Sequence, residues 1–124
     1  MSQATLVLCG SRSAGDVLRP LGTHVWKGLS GQTYPHTVFS LLGCPAPVAV
    51  SYVLVKRLED GRPIALETGF TASDVQSLNL AAIRRRGAEI GANEVHLGVP
   101  SAPAEYQAAA CDIAGAKSAV AVQD

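Results

Sequence analysis

The apolar and polar positions in the central half of the chain follow one another as two strands, a helix and a third strand. A β-branched apolar run covers Val48–Val55, and a second apolar run, Ile64–Gly69, follows it after an Asp60-Gly61 turn. A helical stripe and the alternating run Glu94–Val99 complete the series. This ββαβ order predicts a compact module in which a sheet carries a packed helix.

The Asp60-Gly61 pair predicts a tight hairpin, because a type I′ turn needs two residues that tolerate positive φ. With these two residues as the turn, Tyr52 lies opposite Gly69, and Glu67 shares the face of Tyr52. Pro63 lacks an amide proton, so a bulge that shifts this register by one residue and inverts the facing stays open.

A helix is predicted from the region of Ser73 to Ile90. Ser73 and Gln76 have the spacing of a capping box, and Ser77 is an alternative N-cap. Three apolar residues and one glycine recur on a single helical stripe: Leu80, Ile83, Gly87 and Ile90. Arg85 falls on the opposite, polar side, so we expect the apolar stripe to pack on the sheet.

Further elements flank the module. Thr5–Cys9 and Thr37–Leu42 are predicted strands, whereas Gly22–Gly31 is predicted to be irregular or a weak strand. An alanine-rich helix is predicted over Ala104–Ala114. The fold class that follows is α+β, with a small, mostly antiparallel sheet, a ββαβ core module and helices packed on it.

The length of 124 residues is that of one ordinary domain. Within it, we expect residues 1–47 to form an N-terminal extension that contributes strands. Residues 48–114 form the ββαβα module, and residues 115–124 form a tail.

Composition narrows the function classes. Ten basic and ten acidic side chains give no net charge, so a role with nucleic acid requires a local basic patch. Aromatic residues make up 5% of the chain, which argues against stacking on successive bases as the main activity. A neutral surface favours association with a protein partner or a homodimer.

The cysteines and the apolar segments bear on compartment. Cys9, Cys44 and Cys111 lack the spacing of metal ligands, and we expect them to be buried free thiols in a reducing cytoplasm. No apolar segment is long enough to cross a bilayer. The expectation is a cytoplasmic protein that makes no membrane contact.

Four short segments of the central module follow the layout of a known family. Val50-Ser51-Tyr52 lies in the first strand and Glu67-Thr68-Gly69 ends the second. An arginine-bearing helix and a third strand with Glu94-Val95-His96 come next. This arrangement, over roughly the central half of the chain, resembles the GIY-YIG nuclease domain, with one residue of each signature tripeptide retained.

The resemblance implies particular roles. In that family tyrosines and an arginine surround the scissile phosphate, and a glutamate holds a divalent metal. By position, Tyr52 and Arg84 are the catalytic residues if the domain is active, and Glu105 is the nearest candidate to hold Mg²⁺; no other cofactor is implied. Glu67 replaces the second tyrosine, which removes a group for proton transfer. We therefore expect a catalytically degenerate module that binds nucleic acid or another phosphate-bearing ligand.

A candidate ligand site is predicted on the sheet face that carries Tyr52 and Glu67, beside Gly69. Alternation in the third strand sends His96 away from its apolar neighbours, so we expect its imidazole on this same face. The helix is expected to bring Arg84 to the rim. A phenol, a carboxylate, an imidazole and a guanidinium together fit a small polar ligand or a phosphate.

Two other function classes stay open. The first is a non-enzymatic interaction or scaffold protein. The second is a nucleotide-binding protein of the SLOG type, because Leu6-Val7-Leu8-Cys9-Gly10-Ser11-Arg12 resembles the strand-to-loop opening of those domains. Affinity for nucleic acid that falls steeply as the salt concentration rises would indicate phosphate contacts. An interaction or scaffold protein with a neutral surface would not show this dependence.

Overall fold

The computed structural model of the chain describes the backbone of residues 20–123 and the side chains of residues 20–116. The predicted strand Thr5–Cys9, and with it the SLOG-like segment, lies outside the described residues. Within them the elements are β1 (Gly22–Lys27), β2 (Thr33–Ser40), β3 (Ser51–Arg57), β4 (Pro63–Phe70), α1 (Gln76–Ile90), β5 (Glu94–Leu97) and α2 (Pro103–Gln123).

The strands form one antiparallel sheet in the order β1-β2-β5-β3-β4, so β5 is inserted between β2 and β3. The sheet curls around α2, which contacts both edge strands, β1 and β4, as well as β3. α1 packs on the other face. The α+β fold class, with a mostly antiparallel sheet and helices on it, is confirmed, and β3-β4-α1-β5 is the predicted ββαβ module.

α1 packs through the predicted stripe. Ile83 and Gly87 are buried, and Leu80 and Ile90 pack on the core beside them. At Gly87 a Cβ atom would come within 2.8 Å of the Leu41 side chain, so glycine lets the helix approach the end of β2 closely. The core on this face consists of residues from β2, β3, β5 and the loops beside them: Phe39, Leu41, Cys44, Val50, Leu54, Ala92, Val95 and Leu97.

The start of α1 differs from the predicted capping box. The helix begins at Gln76, after Val75, which provides no side-chain cap. The Ser73 hydroxyl instead accepts a hydrogen bond from the Val75 amide at 3.0 Å. Buried Asn79 accepts from the Ser73 amide at 3.2 Å and donates to the carbonyls of Ser73 and Pro47, each at 2.8 Å. The Asn79 side chain therefore holds the turn before α1, where the sequence predicted a serine N-cap.

The turn between β3 and β4 is not the predicted two-residue turn at Asp60-Gly61. The Leu58 amide donates to the Arg62 carbonyl, and the Gly61 amide donates to the Leu58 carbonyl, both at 2.9 Å. Gly61 has φ of 91°, which only glycine adopts at little cost. These features define a three-residue loop that ends in a left-handed glycine, the next most common hairpin connection.

A bulge then restores the predicted pairing. Leu54 pairs with Glu67, but Val55 pairs with Ala65, so Leu66 is the extra residue. The bulge reverses the one-residue shift that the longer loop introduces, and Tyr52 pairs with Gly69 as predicted.

The N- and C-terminal elements of the described chain agree with the predictions in type, since a weak strand and a helix were among them, and differ in extent. β1 occupies the stretch predicted to be irregular or a weak strand, and α2 is longer than the predicted Ala104–Ala114. The Asp112 carboxylate on α2 accepts from the Ser30 amide at 2.9 Å, the Ser30 hydroxyl at 2.6 Å and the Tyr34 hydroxyl at 2.9 Å. These bonds fasten α2 to the β1–β2 hairpin.

The described cysteines divide into two kinds. Cys44 is buried, and burial raises the pKa of its thiol to about 11. Cys111 is exposed on α2, so the expectation of buried thiols is wrong for this residue. Neither described helix is long and apolar enough to cross a membrane.

The packing of α1 predicts a large effect at Ile83, whose side chain is 1% exposed. Ile83→Ala should lower the free energy of unfolding by about 2–5 kcal/mol, because it removes buried methyl groups and leaves a cavity. Arg85→Ala, on the exposed side of the same helix, is the matched control and should change stability little. Urea denaturation measures both; equal effects of the two variants would contradict the packing described.

Candidate functional site

The predicted site residues divide between the two faces of the sheet. On the α1 face, the Tyr52 ring covers Gly69: its hydroxyl oxygen lies 2.7 Å from the position of a Cβ atom at Gly69. Burial, and then the charge of Glu67, raise the pKa of the Tyr52 phenol above its usual value. A phenol that holds its proton more tightly is a poorer general base at neutral pH.

Glu67 is paired with Arg86. The Arg86 Nε donates to both carboxylate oxygens of Glu67 at 3.0 Å, and Nη2 donates to Oε1 at 2.7 Å. The pair is half exposed, and pairs of this kind contribute little to stability. Arg86 therefore occupies the place beside Glu67 that the sequence analysis assigned to Arg84.

Arg84 has a different role. Its Nη2 donates to the Leu42 carbonyl at 2.7 Å and its Nε donates to the Leu41 carbonyl at 3.4 Å. These bonds hold α1 to the loop after β2. The guanidinium is thus engaged in fastening the fold.

Glu105, the metal candidate, lies at the start of α2. Its carboxylate accepts a hydrogen bond from the Ala102 amide at 3.0 Å, which satisfies one of the free amides of the first turn. It lies on the α2 side of the sheet, opposite the Tyr52 face. Residues 20–116 contain no group of three His, Cys, Asp or Glu side chains that could hold a metal ion.

His96 is on the face opposite Tyr52, so the predicted common face is wrong for this residue. Residues that pair across antiparallel strands share a face. Tyr52 pairs with Leu97, whereas His96 pairs with Val53. Alternation within β5 is as predicted, but the pairing of β5 with β3 sets which residues meet, and the sequence did not reveal that pairing.

On the α2 face, His96 belongs to a continuous hydrogen-bonded chain, the His96 network, formed by Arg57, Glu94, His96 and Trp26. The Trp26 indole donates to His96 Nδ1 at 3.0 Å, and His96 Nε2 lies 3.0 Å from Glu94 Oε1. Because an indole can only donate, Nδ1 has no proton and Nε2 donates to Glu94. The hydrogen bonds therefore require His96 to be neutral.

Electrostatics agree with this assignment. Burial lowers the pKa of the His96 imidazole, outweighing the opposite effect of Glu94. Burial would raise the pKa of the Glu94 carboxyl, but hydrogen bonds from Arg57 and His96 outweigh it and keep the carboxylate ionised. Arg57 donates to the two oxygens of Glu94 at 2.9 Å and 3.1 Å. Burial and the Arg57 charge also lower the pKa of His24, whose ring centroid lies 5.5 Å from that of His96.

His36 is the residue that the sequence analysis missed. Its side chain is 3% exposed, and Nδ1 lies 2.8 Å from the Tyr34 carbonyl oxygen. A carbonyl can only accept, so Nδ1 carries the proton and Nε2 presents a bare lone pair. Nε2 is buried and has no hydrogen-bond partner among the described residues. Burial lowers the pKa of His36 further than the Tyr34 bond raises it, so the ring is neutral at pH 7.

His36 lines a cavity of about 330 Å³ between the sheet and the N-terminal half of α2, which we call the His36 cavity. Gly98 packs closely against two polar groups of this wall: a Cβ atom there would lie 2.8 Å from Ser51 Oγ and 3.5 Å from His36 Nε2. The imidazole acceptor and the hydroxyl thus converge beside a residue without a side chain. The other described residues that line it are Gln32, Tyr34, Pro35, Val99, Ser101, Glu105, Tyr106, Ala108 and Ala109.

No sequence signal marked this cavity. His36 is an isolated histidine in β2, and its neighbours in the cavity come from β3, from the residue after β5 and from α2. Only the strand order brings them together.

Comparison with known proteins identified no relative of this chain. No family model matches the chain, and neither the curated proteins nor the solved structures contain a significant match.

The neutral histidines predict a loss of stability in mild acid. Histidine in the unfolded chain titrates near pH 6.5, and the pKa values of His24, His36 and His96 are lower in the folded chain. Below about pH 6.5 the unfolded state therefore binds more protons than the folded state. The free energy of unfolding should be highest above that pH, and it should fall as the pH decreases towards the pKa values of the folded state.

The measurement is urea denaturation between about pH 7.5 and pH 5. His96→Gln, which keeps one acceptor and one donor, should reduce the pH slope, whereas Glu59→Gln in the exposed turn should leave it unchanged. A chain whose stability rises on acidification over this range would contradict the assignment of neutral histidines.

Proposed function

We propose that the chain is a small-ligand-binding domain and that the His36 cavity is its binding site. The observation that carries this proposal is the buried Nε2 of His36, an acceptor without a partner among the described residues. Leaving a buried acceptor unbonded costs about 1–3 kcal/mol. Proteins satisfy nearly all such groups, and a bound ligand that donates a hydrogen bond satisfies this one.

The size and lining of the cavity support the proposal. Its volume of about 330 Å³ falls in the range typical of small-molecule sites. Val99, Ala108 and Ala109 give it an apolar wall, and Ser51 and His36 place two polar groups at one point of that wall. An apolar enclosure with a few convergent polar groups is what orients a small molecule.

A second candidate is the binding of nucleic acid or another phosphate-bearing ligand on the Tyr52 face. The packing of Tyr52 on Gly69 favours it, because these are the two residues that the chain retains from the GIY-YIG signature. The bonds of Arg84 and Arg86 to groups of the protein itself weigh against it, since a phosphate site needs available cations. We rank it below the cavity for that reason.

The first proposal is tested with three probes of one shape: benzylamine, benzyl alcohol and benzoate. Titrated into the ¹⁵N-labelled chain, at least one probe should shift the amide signals of His36, Ser51 and Gly98. Gly98→Ala should abolish these shifts, because its methyl group would come within 2.8 Å of Ser51 Oγ. Ala88→Ser, which adds one atom on the exposed side of α1, is the control and should retain them.

Because Gly98→Ala also strains the fold, Ser51→Ala provides a second variant that removes the hydroxyl without adding volume. Ser51→Ala should weaken binding of the same probe, while the amide spectrum should remain that of a folded protein. If none of the three probes shifts the cavity amides of the unmodified chain, the proposal is overturned.

The second candidate makes a separate prediction about catalysis. With Mg²⁺ or Mn²⁺, the chain should not cleave duplex or branched DNA, because Glu67 stands in place of the second tyrosine and is held by Arg86. A gel assay over several metal concentrations measures this. Metal-dependent cleavage that disappears in Tyr52→Phe would promote the second candidate over the first.

A further inference from the structure

We infer that the ligand of the His36 cavity is a small amine. This inference rests on the function proposed above and adds to it the chemical class of the ligand. It follows from the kind of hydrogen bond that the cavity requires and from the sign of the charge in its lining.

The tautomer of His36 determines which hydrogen bond a ligand can make with it. Because the Tyr34 carbonyl binds the protonated Nδ1, Nε2 can act only as an acceptor. A ligand that satisfies Nε2 must therefore present an N–H or O–H donor. Carboxylates and fully ionised phosphates are acceptors, and they would leave Nε2 unbonded.

The charge of the cavity lining bears on the charge of the ligand. Among the described residues that line the cavity, Glu105 is the one charged side chain, and none of them is lysine or arginine. A carboxylate has about four acceptor positions, and the bond from the Ala102 amide uses one of them. The charge of Glu105 thus favours a cation over an anion in the cavity.

A third observation concerns the tyrosines of the lining. The Tyr34 hydroxyl donates its proton to Asp112, which is not among the lining residues, so that proton is not available to a ligand in the cavity. Tyr106 adds an aromatic ring, whose face also attracts cations. An ammonium group carries three donors, which suits a wall of this kind better than a hydroxyl, with its single donor.

The test compares the binding of benzylamine, benzyl alcohol and benzoate, which share a ring and differ in the head group. At neutral pH, calorimetry should show benzylamine binding at least roughly tenfold more tightly than benzoate. Glu105→Gln should remove most of the advantage of benzylamine over benzyl alcohol. The glutamine keeps a carbonyl acceptor for the Ala102 amide, so the start of α2 is preserved.

The matched control is Glu89→Gln, an exposed carboxylate on α1. It makes the same change of charge on the opposite face of the sheet and should leave the order of the three probes unchanged. His36→Phe keeps a ring and removes the acceptor, so it should weaken both benzylamine and benzyl alcohol.

The outcomes separate this inference from the proposed function. Tighter binding of benzoate than of benzylamine in the cavity would overturn the amine inference while leaving the binding function intact. Equal binding of benzylamine and benzyl alcohol, unaffected by Glu105→Gln, would also overturn it. Failure of all three probes to bind would overturn the proposed function itself.

Discussion

The structure depends on the burial of β5 between two strands and two helix-covered faces. All four of its residues, Glu94–Leu97, are buried. Two of them, Val95 and Leu97, enter the core under α1, but Glu94 and His96 point to the α2 face, where a carboxylate without partners would be very costly. The His96 network supplies those partners from β1 and β3. Sheet order and hydrogen bonding are therefore one constraint, since only the inserted position of β5 places its polar side chains between Trp26 and Arg57.

The two faces of the sheet treat their polar groups differently. On the α1 face, Glu67 and Arg86 satisfy each other, and Arg84 is bound to backbone carbonyls. On the α2 face, the network reaches His96, but His36 retains a bare acceptor beside Gly98. On the face that looked functional from its residue types, these charged side chains are thus bonded to groups of the protein itself. The candidate site lies on the face whose hydrogen bonding is incomplete.

The elements themselves were largely predictable, because strand alternation and the helical stripe around Ile83 are local patterns that burial enforces. Pairing between distant strands was not. The sequence placed His96 correctly relative to Val95 but not relative to Tyr52, since their relation depends on how β5 pairs with β3. The pairing of Tyr52 with Gly69 in the β3–β4 hairpin was predicted correctly, but two features behind it were not. The longer loop and the bulge at Leu66 each shift the register by one residue, in opposite directions. His36 was missed because a lone histidine has no local signature.

Trp26 is the one tryptophan in the sequence, and its indole is bonded directly to His96. An indole fluoresces, and its emission depends on the groups that it contacts. The chain therefore contains its own optical probe, at the junction of β1 with the central strand, without any label. Changes in the emission of Trp26 would follow the state of this junction in real time, including during folding, when β5 takes its place between its neighbours.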